Sequence, residues 1–303
     1  MLPIQDAVAV ITGEAGAIGK TLAQSWLENG GRALLADVAP EHLQRTRQEL
    51  NRYGDRLETL VCNVTDEKEC ARLADRAIAR FGAIHLVAPF AGIIRDGLKL
   101  STSRQNGTSK IKTGQEMQLI GDITLNAVFL TVRHCVQRMV DHRCKGLICV
   151  ISAAGTLGTA GQLNQAATQA ARSVFPKRVT AKFPLRSSTD RIRCVAVAPG
   201  YAGTDIVKDS DRADVSKMLG NDAIGGRIAP QKIIERVLEL YCNEALSGEI
   251  YFVRRRSEVR REESIGALAR LAFNSRSPVW EHNWQRLARA CHMHSARQAA
   301  ARH

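Results

Sequence analysis

"AVAVITGEAGAIGK", residues 7–20, passes from an unbroken apolar stretch into a glycine-rich turn and then into helical spacing. The stretch Ala7 to Thr12 fits a strand buried on both faces, which a parallel sheet covered by helices requires. In the turn, Gly13 permits a conformation that a side chain would obstruct. Gly16 and Ala17 let a backbone come close to a pyrophosphate, and Gly19 lets the helix pack tightly on the strand. The amino terminus of that helix offers unpaired N–H groups and a partial positive charge to an anion.

The same rhythm recurs along the chain. Near-continuous apolar runs stand at residues 32–37, 58–64, 84–89, 146–152, 193–199 and 248–253. Helical patterns lie between them at about 18–30, 40–53, 66–81, 115–142, 162–183 and 230–246. Alternating strand and helix predicts right-handed crossovers and an α/β fold: a doubly wound, Rossmann-type parallel sheet of about seven strands. Pro176 falls inside the fifth helical pattern, where it should kink or end the helix. The polar segment 95–114 reads as a long loop or short hairpin beyond the fourth strand, on the side where open sheets bind ligands.

Residues 1–253 form the expected Rossmann-type domain, and 254–303 an arginine-rich helical extension. The extension holds eleven arginines, no lysine and four acidic residues, so it supplies much of the chain's net charge of +13. Two amphipathic helices separated by Pro278 are expected there, able to dock on the body or on a partner. No nucleic-acid recognition motif accompanies the arginines, which argues against nucleic acid as a partner. No apolar run approaches the ~20 residues of a membrane span, and no signal-peptide layout precedes the first strand. The eight cysteines are scattered through apolar elements without metal-ligand spacing; reduced thiols, no metal and a cytoplasmic location are expected.

Asp37 closes the second strand at the distance where a carboxylate accepts bonds from both ribose hydroxyls of an adenosine. It would repel a 2′-phosphate, so NAD(H) is the expected cofactor rather than NADP(H).

The ordered series "TGEAGAIG", Asp37, "CNVTD" (62–66), "LVAPFAGI" (86–93), "ISAAG" (151–155) and "APGYAGTDI" (198–206) resembles the short-chain dehydrogenase/reductase family, with the 3-oxoacyl-carrier-protein reductases as its nearest flavour. The resemblance covers roughly residues 4–253. It implies that Gly13, Gly16, Ala17, Ile18 and Gly19 line the pyrophosphate, with Ala17 in place of a glycine. It puts Asp37 on the ribose and Asn63 and Val64 on the adenine side where the family usually has Asp-Val, and it adds Gly92 to the cofactor-binding set. Pro199, Gly200 and Thr204 match the segment that contacts the nicotinamide end.

The chain departs from that pattern where the family keeps its chemistry. The family's "NNAG" is "PFAG", so Pro89 and Phe90 replace two asparagines that normally tie the fourth strand to its surroundings. Family catalysis uses a tyrosine as proton donor, a lysine one helical turn later, a serine on the substrate oxygen and an asparagine supporting a water relay. Ser152 matches the serine, but the tyrosine position holds Gln165, the lysine position Gln169 and the asparagine position Thr124. The register of Leu125 and Phe129 argues against Asn126 as that asparagine. General acid–base catalysis is commonly worth about 10² to 10⁴ in rate, on the order of 3 to 5 kcal/mol.

The first reading is therefore an NAD(H)-binding family member, catalytically impaired or inactive, acting as a subunit, scaffold or sensor. It would form a homo- or hetero-oligomer, with an active family subunit as one candidate partner. The second is an active NAD(H)-dependent oxidoreductase on a 3-oxoacyl-like carbonyl or hydroxyl substrate, with non-standard proton transfer through Ser152, a substrate group or Tyr201. The third is an interaction protein built around the tail.

Overall fold

A strand with every residue buried needs cover on both faces, and the alternation of side chains along it decides what each face meets. In β1 (Val8–Thr12) all five residues are buried. Ala9 and Ile11 join one core with Leu22, Trp26, Ile233 and Val237, while Val10 joins a second with Leu73, Val128 and Cys135. The sheet thus separates two apolar layers. The computed structural model describes residues 2–14, 16–93, 103–105, 108–110, 114–153, 163–180, 192–200, 228–243, 247–253 and 261–262.

Six further strands run parallel with β1: β2 (Arg32–Asp37), β3 (Leu57–Val61), β4 (Leu86–Pro89), β7 (Gly146–Ile151), β8 (Ile192–Pro199) and β9 (Ile250–Val253). Their order is β3-β2-β1-β4-β7-β8-β9. The direction of winding reverses between β1 and β4, the switch point where open sheets bind ligands beyond the strands' carboxyl ends. Two short strands, β5 (Ser103–Gln105) and β6 (Thr108–Lys110), form the hairpin that the polar segment after β4 suggested.

The helices are α1 (Ala17–Glu28), α2 (Pro40–Glu49), α3 (Glu67–Phe81), α4 (Gly114–Gly121), α5 (Ala127–Asp141), α6 (Leu163–Thr180) and α7 (Pro230–Cys242). Local chemistry sets their ends. Asp66 caps α3 by accepting from the N–H groups of Lys68 and Glu69 at 2.7 and 3.3 Å, and Gly82 ends it at φ +79°. Buried Arg193 donates to the carbonyls of Leu240, Tyr241 and Asn243, so β8 itself supplies the cap that closes α7. Trp26 of α1 donates to the carbonyls of Ala7 and Arg32 at 3.1 Å each, and its ring meets Tyr241 edge-on at 4.7 Å.

Antiparallel β10 (Arg261–Glu262) pairs with β9, and the chain divides into a compact unit Met1–Glu263 and a second unit Ser264–His303. A two-residue polar edge strand leaves no apolar run to read. Pro176 does not end α6, which continues to Thr180. The proline costs one bond, the one the Arg172 carbonyl would accept from residue 176. The continuous helical run Gln118–Asp141 does reach the length and mean hydropathy, 1.3, of a membrane span. It is apolar because it is a core helix: Ala127, Val128, Leu130, Val132, Cys135 and Met139 are buried. The unit Ser264–His303 lies outside the described residues, as do both expected tail helices except Arg261 and Glu262, which fall in the first of them and form a strand instead.

Candidate active site and nucleotide cleft

The glycine-rich turn is fixed by close backbone approaches. Gly13 has φ +74°, and a Cβ there would sit 2.5 Å from the Ala91 nitrogen and 2.6 Å from its Cα. A Cβ on Gly19 would lie 2.6 Å from the Gly13 carbonyl oxygen, whereas one on Gly16 would meet only that oxygen, at 3.3 Å. Gly13 and Gly19 are therefore required by packing, and Gly16 is not. Gly16 is the N-cap of α1 and makes no side-chain cap hydrogen bond to the first turn.

A cleft of about 850 Å³ opens beside this turn, across the carboxyl ends of β3, β2, β1, β4 and β7 in that spatial order. Gly13, Gly16, Ala17, Ile18 and Gly19 line its middle. Asp37 and Val38 line it beyond β2, and Asn63, Val64 and Thr65 beyond β3. Ala91, Gly92 and Ile93 form the wall beyond β4, and Ile151 stands at the far end. Nine of the predicted cofactor residues thus converge on one cleft. Pro199 and Gly200 do not line it: Gly200 N–H bonds the Val253 carbonyl at 3.0 Å, at the end of the β8–β9 pair. Thr204 and Tyr201 lie outside the described residues.

The polar groups at the β2–β3 end are held by local bonds. Asp37 accepts from the N–H of Ala39 at 3.1 Å, which turns the chain into α2. Asn63 accepts through Oδ1 from the Thr65 N–H and hydroxyl at 3.1 and 2.8 Å, and its own N–H donates to Glu69 at 2.7 Å. Beneath the turn sits Glu14, fully buried, with Thr46 close enough to interact with its carboxylate but no well-formed hydrogen bond to either oxygen among the described residues. Burial pushes its carboxyl above the usual range, and Asp37 adds to that; Thr46, Lys20 and His42 pull the other way without offsetting it. Sequence reasoning passed over Glu14. Its signal was a charged residue in a turn otherwise built from small ones.

On the α6 side the predicted catalytic positions carry different contacts. Ser152 is buried, with its backbone N–H on Val197. Its hydroxyl donates to the Gln169 carbonyl at 2.8 Å and lies 2.6 Å from the Ser173 hydroxyl, so it is committed to α6 rather than to the cleft. Gln169 is buried and its Oε1 has no partner among the described residues; the same holds for the hydroxyl of buried Thr124. Gln165 lies on α6, two residues after its start. Thr124 belongs to a single π-helical turn, Asp122–Asn126, between α4 and α5. Asn126, set aside on register, is the residue of the two that lines the cleft, with Asp122 and Ile123. Arg172, buried on α6, was also missed, because a charge on a helix normally reads as a solvated face.

The seven described cysteines are unpaired. Burial holds the thiols of Cys62 and Cys149 up at about 12, so they stay protonated and unreactive. Among the described residues no group of His, Cys, Asp or Glu is placed to hold a metal ion.

Residues 7–214 match the family described as short chain dehydrogenase. The chain is 26% identical over 257 residues to a 3-oxoacyl-[acyl-carrier-protein] reductase of Salmonella typhimurium, covering 83% of this chain and 97% of that one. It is 29% identical over 199 residues to 3beta-hydroxysteroid dehydrogenase 2 of Eggerthella lenta, covering 65% and 72%. Among solved structures, a short-chain type dehydrogenase/reductase from Mycobacterium marinum superposes with a TM-score of 0.72 at 23% identity, over 83% of this chain and 95% of that one. A 3-ketoacyl-(acyl-carrier-protein) reductase from Brucella melitensis, solved with NADH, gives 0.69 at 18% identity, over 83% and 98%.

Proposed function

The chain belongs to the short-chain dehydrogenase family, and from that premise we propose that it is an NAD(H)-binding member in which hydride transfer is impaired or lost, acting as a subunit, scaffold or sensor. The cofactor reading rests on the cleft across five strand ends, with glycine turn and Asp37 in place. Bound NAD(H) would supply a hydride donor or acceptor. In this chain the turn around Gly13 would hold the pyrophosphate, and Asp37 would accept from the adenosine ribose and disfavour a 2′-phosphate.

The observation that carries the impaired reading is the α6 side of the site. An efficient reductase must place a proton donor at the substrate oxygen. Here the two helix positions that the family gives to tyrosine and lysine carry the amides Gln165 and Gln169, neither of which titrates. The remaining hydroxyl, Ser152, is spent on Ser173 and a backbone carbonyl. Restricted proton transfer is the expected result, with the nucleotide site intact.

The test pairs a calorimetric titration of NADH and NADPH with a turnover assay on a 3-oxoacyl thioester, and with a native mass measurement of the assembly. Submillimolar binding that prefers NADH, with no turnover above a Ser152→Ala control, is expected. Turnover at an ordinary enzymatic rate, about 1 s⁻¹ or more, would overturn the impaired reading. A mass reporting only an isolated chain would remove the subunit role.

A further inference from the structure

Arg172 is 3% exposed, three residues beyond Gln169, on the side of α6 that faces the sheet. A buried guanidinium is costly, and no carboxylate is seen to offset it among the described residues; burial lowers its pKa to about 10, which still leaves it charged at neutral pH. Two backbone carbonyls take that charge instead. Nη2 donates to Pro89 O at 3.2 Å and to Ala91 O at 2.9 Å. A Cβ on Gly92 would lie 3.7 Å from Nη1, so the side chain runs beneath the whole segment from Pro89 to Gly92.

That segment is the one where two asparagines of the family pattern have become Pro89 and Phe90. Its N–H groups are held partly from the β1 side: Phe90 donates to Thr12 O at 3.1 Å as well as to Ala88 O at 2.9 Å, and Ala91 donates to the Thr12 hydroxyl at 3.5 Å. Its carbonyls are held from the α6 side by Arg172. The Ala91 backbone is also what packs against Gly13, so its position sets the gap beside the glycine turn.

We propose that Arg172 is a positioning residue for the cleft: from α6 it replaces the tie that asparagines at 89 and 90 would make, and so sets the wall formed by Ala91, Gly92 and Ile93. The inference rests on the NAD(H) reading above. That wall lies beyond β4, while Asp37 and Asn63 lie beyond β2 and β3. Loss of the clamp therefore disturbs the nicotinamide half of a dinucleotide and spares the adenosine half.

The test measures NADH and AMP binding to the full chain and to Arg172→Leu, Arg172→Lys and Arg172→Leu combined with Pro89→Asn and Phe90→Asn. Arg172→Leu is expected to weaken NADH about tenfold or more, with AMP within about twofold. Arg172→Lys loses part of that, since an ammonium lacks the planar fork that spans two carbonyls. The asparagine pair restores most of the NADH affinity to Arg172→Leu and adds little to the unaltered chain. Equal weakening of NADH and AMP, or folded variants with unchanged NADH affinity, or no rescue by the asparagines, would each overturn the proposal. If Arg172→Leu does not fold, Arg172→Lys carries the same comparison of the two ligands. Failure of the unaltered chain to bind either ligand would instead overturn the NAD(H) reading, and this proposal with it.

Discussion

The β1–β2–β3 end of the cleft and its α6 end are built to different specifications. At the first, recognition depends on backbone: the approach of Gly13 to Ala91, the glycine N-cap of α1, a turn held by Asp37. At the second, the family's chemistry depends on what individual side chains titrate, and in the reading proposed above Gln165, Gln169 and Thr124 stand at all but the serine position. A backbone site survives substitution of its neighbours as long as the sheet folds. A proton-transfer site does not survive loss of its acid. One end can therefore persist after the other has changed its role.

The sharpest break of this contrast is Gly13→Ala. The substitution combines a left-handed φ with a Cβ 2.5 Å from backbone, and is expected to destabilise the fold by about 3 kcal/mol or more, read from denaturant unfolding. An unchanged midpoint would mean that the turn is softer than its contacts imply. Next comes Gln165→Tyr with Gln169→Lys. Restoring acid and cation is expected to raise NADH-dependent turnover by at most about 10² over background, because Thr124 and the committed Ser152 hydroxyl remain. Brisk turnover would show that the α6 end differs from an active site by two side chains only.

Asp37→Ala acts on the nucleotide end alone. It should weaken NADH by about tenfold, roughly 1.5 kcal/mol, and narrow the preference over NADPH, both measurable by titration. The smallest effect is expected from Glu14→Gln, and it depends on pH. The folded chain holds the Glu14 proton to higher pH than the unfolded chain, whose carboxyl ionises near 4.5. Stability conferred by the neutral carboxyl is thus present below that value and lost as pH rises through the folded pKa. Glu14→Gln should match the parent near pH 4 and exceed it by about 1 kcal/mol at alkaline pH, seen as a widening gap in melting temperature. A constant gap would mean that Glu14 does not titrate in this range.

Six of the seven parallel strands were legible because they are buried on both faces and so read as apolar runs, as in "CVI" within β7 or "VAVA" within β8, whereas edge strand β3 is only partly buried. The lining of the cleft was legible for a related reason: glycines and a strand-end carboxylate sit at spacings set by the fold. Other features depend on which way a side chain turns. Arg172 reads as a surface charge until α6 is docked, and Ser152 reads as an available hydroxyl until Ser173 is seen 2.6 Å away. β10 escaped notice because its pairing uses backbone that any residue supplies. Pro176 misled because a helix held by packing tolerates the loss of one bond.

The π-helical turn Asp122–Asn126 works as a phase shifter in an otherwise continuous rod. It carries one residue more than an α turn, and one residue is worth about 100° of rotation about a helix axis. Downstream of it α5 presents Ala127, Val128 and Cys135 inward, and within it Asn126 looks into the cleft while Thr124 is sealed away. Deleting a single residue there would leave composition and length almost untouched, yet it would rotate either the cleft wall or the core face out of alignment.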